Sequence, residues 1–372
     1  MWICSLTCEV DRLPSTLTRQ LSNLPLTISH SPNHSFLSPS SIINFRLLFI
    51  KYDMLYETNN LKVTILVEFI IIMRDIILPV FIIMAIGYIL QKKFSLDVQT
   101  LARLNIYYVV PAFIFVRLYE AVIPWNIFAK VIMFVGLFVF ILYVLSMITG
   151  SLLGLNTRKK VTFTNSVIFY NSGNYAVPVN DLVFRGDPFA MSIQVIVLMF
   201  QNIFIFSYGI FSLQSMDSGK LRAALAYFKM PVMYAMLLGI SMNALDLSVP
   251  EFIWVPANYI ADAMIALALL TLGAQVAQLK LTSGLRAVYY SMTLRLIGGP
   301  LVALGLIFIF GVTGVTAQAL LIASAMPTAV NSAVIAQEYE NHPELAAQIV
   351  LFSTVASAFT VSLVIFVARI LF

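Results

Sequence analysis

The chain has 372 residues, of which 60% are hydrophobic and 10% are charged, and its formal net charge is +5. A soluble domain is nearer half apolar and a quarter charged, so this composition is not that of an ordinary soluble protein and predicts a lipid-facing surface. The Lys and Arg residues lie in short segments between apolar runs. This placement is typical of membrane-protein loops and argues against a nucleic-acid partner.

Residues with catalytic or metal-binding chemistry are sparse. Cys4 and Cys8 are the only cysteines, and they support neither a disulfide framework nor a Cys-based metal site. The three histidines are scattered along the chain. Hydrolase, zinc-protease and nucleotide-binding motifs are absent from the sequence. We therefore expect no enzyme activity, no metal, no cofactor and no transport driven directly by ATP through this chain.

The N-terminal part differs in composition from the rest. Residues 1–60 are rich in Ser, Pro, Asn and Thr, and the apolar run at 42–50 is too short to span a bilayer. We expect residues 1–72 to be a disordered extension, or the product of a gene model that begins too early, with Met73 or Met54 as the true start. The sequence leaves both interpretations open.

From Asp75 onward the chain falls into runs of about 20 apolar residues, the length that crosses a hydrocarbon core. Because lipid offers no partner to bare backbone groups, these runs predict helices. The fold class is therefore an all-α integral membrane protein of about ten transmembrane helices. The predicted spans lie near 75–91, 98–119, 127–149, 161–183, 190–212, 229–246, 254–278, 286–310, 316–337 and 346–370.

The basic residues indicate the orientation of these spans. Eleven lie on one side of the predicted membrane and four on the other, which assigns the first side to the cytoplasm and both termini to the outside of the plasma membrane. The cytoplasmic set is Lys92, Lys93, Arg103, Arg158, Lys159, Lys160, Lys220, Arg222, Lys229, Lys280 and Arg286. The opposite set is Arg74, Lys130, Arg185 and Arg369.

The transporter domain, residues 73–372, divides into two halves of five spans. Pro79 and Pro231 lie 231 − 79 = 152 residues apart, and the same offset joins Asn174 in span 4 to Met326 in span 9. An odd number of spans per half inverts the second half, as in many secondary transporters. The halves are residues 73–212 and 229–372, with a cytoplasmic linker at 213–228. Chance alignment of a few prolines is the competing explanation.

Spans 4 and 9 carry the candidate binding site. Each contains Gly or Pro together with Asn, which predicts two crossed, discontinuous helices near the bilayer midplane. The half-helix N-termini direct partial positive charge into a cavity, and Asn amides donate to a carboxylate. The alternative is that both segments are structural kinks. The candidate residues are Asn171, Gly173, Asn174, Pro178, Pro327 and Asn331.

Two ionisable residues lie inside predicted spans. A buried Arg is costly, so Arg295 in span 8 either holds a substrate carboxylate or braces the bundle by pairing with Asp262. Asp262 in span 7 either couples transport to a proton or sodium ion, serves as the partner of Arg295, or lies at a solvated helix end.

Six segments of the chain form a pattern that occurs in order along the predicted spans. They are 77–81 with Gly87-Tyr88, 111–115, 171–178, Asp262-Ala263 with Leu272-Gly273, Leu294-Arg295 with Gly299-Pro300, and 325–343. In this order they resemble the auxin efflux carrier family in its prokaryotic form, and the resemblance covers about residues 73–372. It implies a ten-span fold, a substrate site at the crossed helices and an elevator-like motion.

Two departures from the plant carriers bear on regulation and substrate. The loop after span 5 is short, so the resemblance does not imply plant-style phosphoregulation. Asn331 stands where plant carriers tend to have a second proline, which favours a bacterial or archaeal carrier of a malate- or malonate-type carboxylate over a carrier of auxin. The expected partners are this organic acid, a proton or sodium ion, and lipid, and the sequence leaves a homodimer open. The rival functions are an ion antiporter or channel that uses Asp262, and a membrane sensor.

Overall fold

The computed structural model describes residues 66–121, 124–214, 231–278 and 285–372. Within these ranges the chain forms twelve helices. They are α1 Leu66–Phe94, α2 Val98–Tyr119, α3 Trp125–Leu152, α4 Thr157–Ile168, α5 Ala176–Phe184, α6 Pro188–Leu213, α7 Pro231–Ala244, α8 Glu251–Gln278, α9 Arg286–Phe310, α10 Gly314–Ser324, α11 Val330–Glu338 and α12 Pro343–Leu371.

Seven helices of the described ranges are long and apolar enough to cross a membrane, namely α1, α2, α3, α6, α8, α9 and α12. Helix α7 is apolar but has 14 residues. Predicted spans 4 and 9 are each divided into two short helices, α4 with α5 and α10 with α11. The protein is therefore an all-α, multi-pass membrane protein. Most of the predicted linker, and nearly all of the N-terminal extension, lie outside the described residues.

Helix α1 begins before the predicted first span and before the predicted domain boundary at residue 73. Its residues 66–72 belong to the helix, and Ile72 is fully buried. Arg74 and Asp75, at the predicted start of the span, lie inside the helix, and their side chains bind each other at 2.6 Å. Neighbouring opposite charges that satisfy one another are tolerated near the end of a membrane helix.

Helices α1 and α8 are in backbone contact at two glycines. A Cβ atom on Gly87 would lie 2.1 Å from the carbonyl oxygen of Leu270, and one on Gly273 would lie 1.9 Å from that of Met84. Only glycine fits at these positions, and small residues allow such close approach of membrane helices.

The helices form two groups around the candidate site. The first helix group consists of α1, α2, α7 and α8, and the second consists of α3 to α6 and α9 to α12. Contacts within each group are more extensive than contacts between them, which run mainly from α6 to α2 and α7, and from the start of α1 to α5 and α12.

Candidate functional site

The interruptions between α4 and α5 and between α10 and α11 contact each other directly. The N–H of Asn171 donates to the Pro327 carbonyl at 2.8 Å, and the N–H of Ala329 donates to the Phe169 carbonyl at 2.9 Å. Tyr170 and Thr328 form an antiparallel bridge between these two bonds. Each broken helix thus supplies partners to the backbone groups that the other leaves open, which is required at membrane depth.

We call the paired segments 169–171 and 327–329 the crossing. Thr328 stabilises the crossing through its side chain. Its hydroxyl donates to the Ser166 carbonyl at 2.7 Å, and its N–H donates to the Ser353 hydroxyl of α12 at 3.2 Å. The residue is fully buried. The sequence analysis did not single out Thr328, because a lone Thr in an apolar segment carries no signal of its partners.

Arg295 lies behind the crossing. Its guanidinium donates to the Val167 carbonyl at 3.0 Å and to the Ser324 carbonyl, at the C-terminal ends of α4 and α10. It also stacks over the ring of Tyr170, with the guanidinium carbon 4.9 Å from the ring centroid. The side chain is fully buried, and Gly299 leaves room for it.

The predicted pairing of Arg295 with Asp262 is wrong. Asp262 is 68% exposed, and its carboxylate lies 3.6 Å from the guanidinium of Arg117, which also binds Glu120 at 3.3 Å. Asp262 is the last residue of the first of the two segments that make up α8.

A central cavity lies beside the crossing, between the two helix groups. It contains about 620 Å³ of empty space, part of it open to solvent. Four of the predicted site residues line it together: Asn171, Gly173, Asn174 and Asn331. Pro178, Pro327, Arg295 and Asp262 are not among the lining residues. Pro178 lies in the first turn of α5, and Pro327 acts through its carbonyl in the crossing.

The wall formed by the second helix group offers unpaired donors. Asn171 is 6% exposed, and its Nδ2 has no partner among the described residues. In the same part of the structure, the N–H groups of Gly173, Asn174, Val330 and Asn331 find no backbone acceptor. The first turns of α5 and α11 contain no acidic residue. Two half-helix N-termini without a countercharge therefore face this cavity.

The wall formed by the first helix group offers unpaired acceptors. Asn105 is buried and donates to Thr271 at 2.8 Å, which leaves its Oδ1 without a partner within the described ranges. Gln275 is also buried, and its Oε1 is likewise unpartnered there. No Asp, Glu, Lys or Arg is among the residues that line the cavity. Neither Asn105 nor Gln275 was among the site residues that the sequence predicted.

A larger vestibule lies next to the central cavity, at the ends of α2, α8, α11 and α12. The two spaces share Ala102, Gln275 and Val330 as lining residues, and the vestibule contains about 2010 Å³ of empty space that includes open solvent. Asp97 at its rim caps α2, where the hydrogen bond from the Thr100 hydroxyl holds the pKa of Asp97 below its usual value. Residues of the cavity wall thus also line a space that includes open solvent.

A polar cavity at two interrupted, mutually bonded helices is a feature of membrane transporters. Residues 71–365 match the model of the family described as "Membrane transport protein", which covers the auxin efflux carriers. The chain belongs to this family, and it is a membrane transporter.

Two relatives agree with this assignment. An "Uncharacterized transporter" of Methanothermobacter thermautotrophicus is 25% identical over 308 residues, which cover 76% of this chain and 94% of the relative. "Auxin efflux carrier component 6" of Arabidopsis thaliana is 29% identical over 133 residues, 34% of this chain and 23% of the plant protein. The resemblance noted in the sequence is thereby confirmed.

Proposed function

We propose that this protein is a secondary transporter that moves a small organic anion across the plasma membrane by alternating access. The observation that supports this most directly is the wall of the central cavity, where unpaired N–H donors and two half-helix N-termini meet no acidic residue. Such a wall favours an anion, because the helix dipoles and the bare N–H groups both stabilise negative charge.

We assign substrate contacts to Asn171, Gly173, Asn174 and Asn331. The buried Nδ2 of Asn171 is the sharpest indicator, because a buried donor without a partner costs about 1–3 kcal/mol unless a ligand or water satisfies it. Pro178 and Pro327 shape the backbone of the two interruptions. Arg295 supports the crossing from behind the cavity.

The opposite wall favours an anion that carries a donor of its own. The oxygens Asn105 Oδ1 and Gln275 Oε1 repel a carboxylate but accept from a hydroxyl or N–H group. Malate presents both a carboxylate and a hydroxyl, whereas malonate has only carboxylates. An auxin-like acid presents a carboxylate and a ring N–H. We therefore rank malate and auxin-like acids above malonate.

Ten spans in two inverted halves fit the described helices. The seven long helices, α7 and the two interrupted pairs make up this number. Gly87 and Gly239 lie 239 − 87 = 152 residues apart, and a Cβ on either would approach a carbonyl oxygen of a neighbouring helix, 2.1 Å from Leu270 and 3.0 Å from Phe115. Two glycines that are 152 residues apart and make the same kind of close helix contact support the proposal that the two halves pack in the same way.

Alternating access requires two groups of helices that move relative to each other, and the two helix groups meet at the cavity. The vestibule reaches the side on which the predicted basic loops lie, at Arg103. The excess of Lys and Arg assigns that side to the cytoplasm. We infer that this structure is open to the cytoplasm, and that sliding of the second group against the first would expose the cavity to the outside.

Uptake by purified protein in liposomes tests the proposal. Labelled malate is expected to enter saturably, and protein-free liposomes are expected to take up none. Proton and sodium gradients, applied one at a time, identify the coupling ion. Proton or sodium flux without saturable uptake of malate, malonate or indole acetate would instead establish the ion antiporter that uses Asp262.

Replacing Asn171 with Ala separates binding from folding. A hydrogen bond to a charged group contributes about 1.5–3 kcal/mol, so Asn171→Ala should weaken malate binding about 10- to 150-fold. The variant removes an unsatisfied buried donor, so its apparent Tm without malate should not fall. Thermal unfolding at increasing malate concentration measures both quantities.

Asn258→Ala is the matched control, because this amide donates only to the Trp254 carbonyl of its own helix, at 3.0 Å, and does not line the cavity. An Asn171→Ala protein that binds malate as tightly as the parent would contradict the assignment of Asn171.

A further inference from the structure

Four half-helix ends converge at the crossing. The C-terminal ends of α4 and α10 carry partial negative charge, and the N-terminal ends of α5 and α11 carry partial positive charge. Each end corresponds to roughly half an elementary charge. If all four were left alone, the two signs would largely cancel, and the cavity would have little preference for the charge of its ligand.

Arg295 acts on the negative pair only. Its guanidinium binds Val167 O, in the last turn of α4, and Ser324 O, at the last residue of α10. No carboxylate in the described ranges pairs with this guanidinium. One positive charge therefore offsets about two half charges of opposite sign.

The positive pair has no corresponding partner. The first turns of α5 and α11 lack acidic residues, and none lines the cavity. We infer that Arg295 sets the charge preference of the cavity, because it neutralises the two C-terminal helix ends and leaves the two N-terminal ends to attract an anion. This inference rests on the proposed function only in treating the central cavity as the binding site.

Arg295 performs this role from a distance. It is fully buried, it does not line the cavity, and the ring of Tyr170, on which it stacks, is itself part of the cavity wall. It is therefore a positioning residue and does not contact the substrate. Burial of a charge without a paired acid is costly, and the two carbonyls and two aromatic faces compensate it here.

The reactivity of a thiol in the cavity reports the electrostatic potential there, and this experiment needs no substrate. Cys4 and Cys8 are first changed to Ser, and Asn331→Cys then places one thiol at the N-terminus of α11. The rate of reaction with a small neutral alkylating reagent is followed against pH in full-length protein in detergent. A positive field favours the reactive thiolate, so it shifts the pH midpoint of the reaction downward.

In the Arg295→Gln background, the midpoint is expected to rise by about one pH unit, which slows the reaction about tenfold at pH 7. The Arg295→Lys background retains the charge and should keep the midpoint of the parent. An unchanged midpoint in Arg295→Gln would overturn the inference, whereas a purely structural role for Arg295 predicts the same midpoint in all folded variants.

Gly299→Ala provides a second perturbation if Arg295→Gln does not fold. Its Cβ would lie 2.7 Å from Nη2 of Arg295, so the guanidinium must move away from the helix ends. The midpoint should rise in this variant too, and an unchanged midpoint would again overturn the inference. If the pH midpoint shifts in these variants as expected, but the parent protein takes up no carboxylate, the proposed cargo is refuted and the inference about Arg295 stands.

Discussion

Changing Asn331 to Asp is expected to abolish uptake of organic anions while the protein folds at least as stably as the parent. Asn331 lines the central cavity as the second residue of α11. A carboxylate there, about 4 Å from a bound anion at an effective dielectric constant near 20, would cost about 4 kcal/mol. This corresponds to a loss of affinity of about 1,000-fold.

The same change should stabilise the helix. An acidic residue in the first turn interacts favourably with the helix dipole, by about 0.3–1 kcal/mol. Stability and transport are thus expected to move in opposite directions, which a folding defect cannot mimic. Malate uptake in liposomes and apparent Tm in detergent measure the two effects.

Asn126→Asp is the matched control, since Asn126 is the second residue of α3, is exposed, and lies outside the cavity. It should keep the uptake rate of the parent. If Asn331→Asp takes up the anion saturably at the rate of the parent, the crossing is not the binding site.

The interruptions themselves could be predicted from the sequence. Pro lacks the N–H that a helix needs and Gly disfavours the helix, so each residue type by itself indicates a break. The joining of the two interruptions could not be predicted. Asn171 bonds to Pro327 and Ala329 to Phe169 through backbone atoms, which leave no signature in side-chain chemistry. The matching positions of the two breaks predicted that the segments cross, but they gave no indication of which backbone groups bond.

The partners of charged residues were harder to predict from the sequence than the helix interruptions. The sequence suggested a carboxylate for Arg295, because a buried cation normally requires one. In the structure the two terminal nitrogens of Arg295 donate to carbonyls at helix ends, and such acceptors exist in every helix, so no residue type indicates them in a sequence. The start of α1 was missed for a similar reason, since Arg74 and Asp75 cancel each other locally.

The cavity wall from the first helix group depends on tertiary structure. Asn105 and Gln275 lie far apart in sequence and meet the crossing only because α2 and α8 pack in the same group. Their free oxygens define the proposed preference for an anion that carries a hydroxyl or N–H. A polar residue in one apolar helix does not indicate which helix it faces, so the sequence alone did not place Asn105 or Gln275 in the candidate site.

Gly273→Ala is expected to destabilise the protein strongly. The new Cβ would lie 1.9 Å from the carbonyl oxygen of Met84 and 2.7 Å from its carbon, both backbone atoms that cannot rotate away. Helices α1 and α8 would have to separate. Overpacking of a tight interface costs about 3 kcal/mol at the upper end of the usual range. The apparent Tm in detergent should fall by about 5 °C or more.

Gly305→Ala is the control, because no heavy atom lies within 4 Å of its Cβ position and Ala favours a helix by about 1 kcal/mol. Its apparent Tm should stay the same or rise. A Gly273→Ala protein as stable as the parent would mean that α1 and α8 are not in backbone contact. The distinction matters for the proposed transport cycle, because a second group that slides requires a first group that does not deform, and α1 and α8 approach each other closely at these glycines.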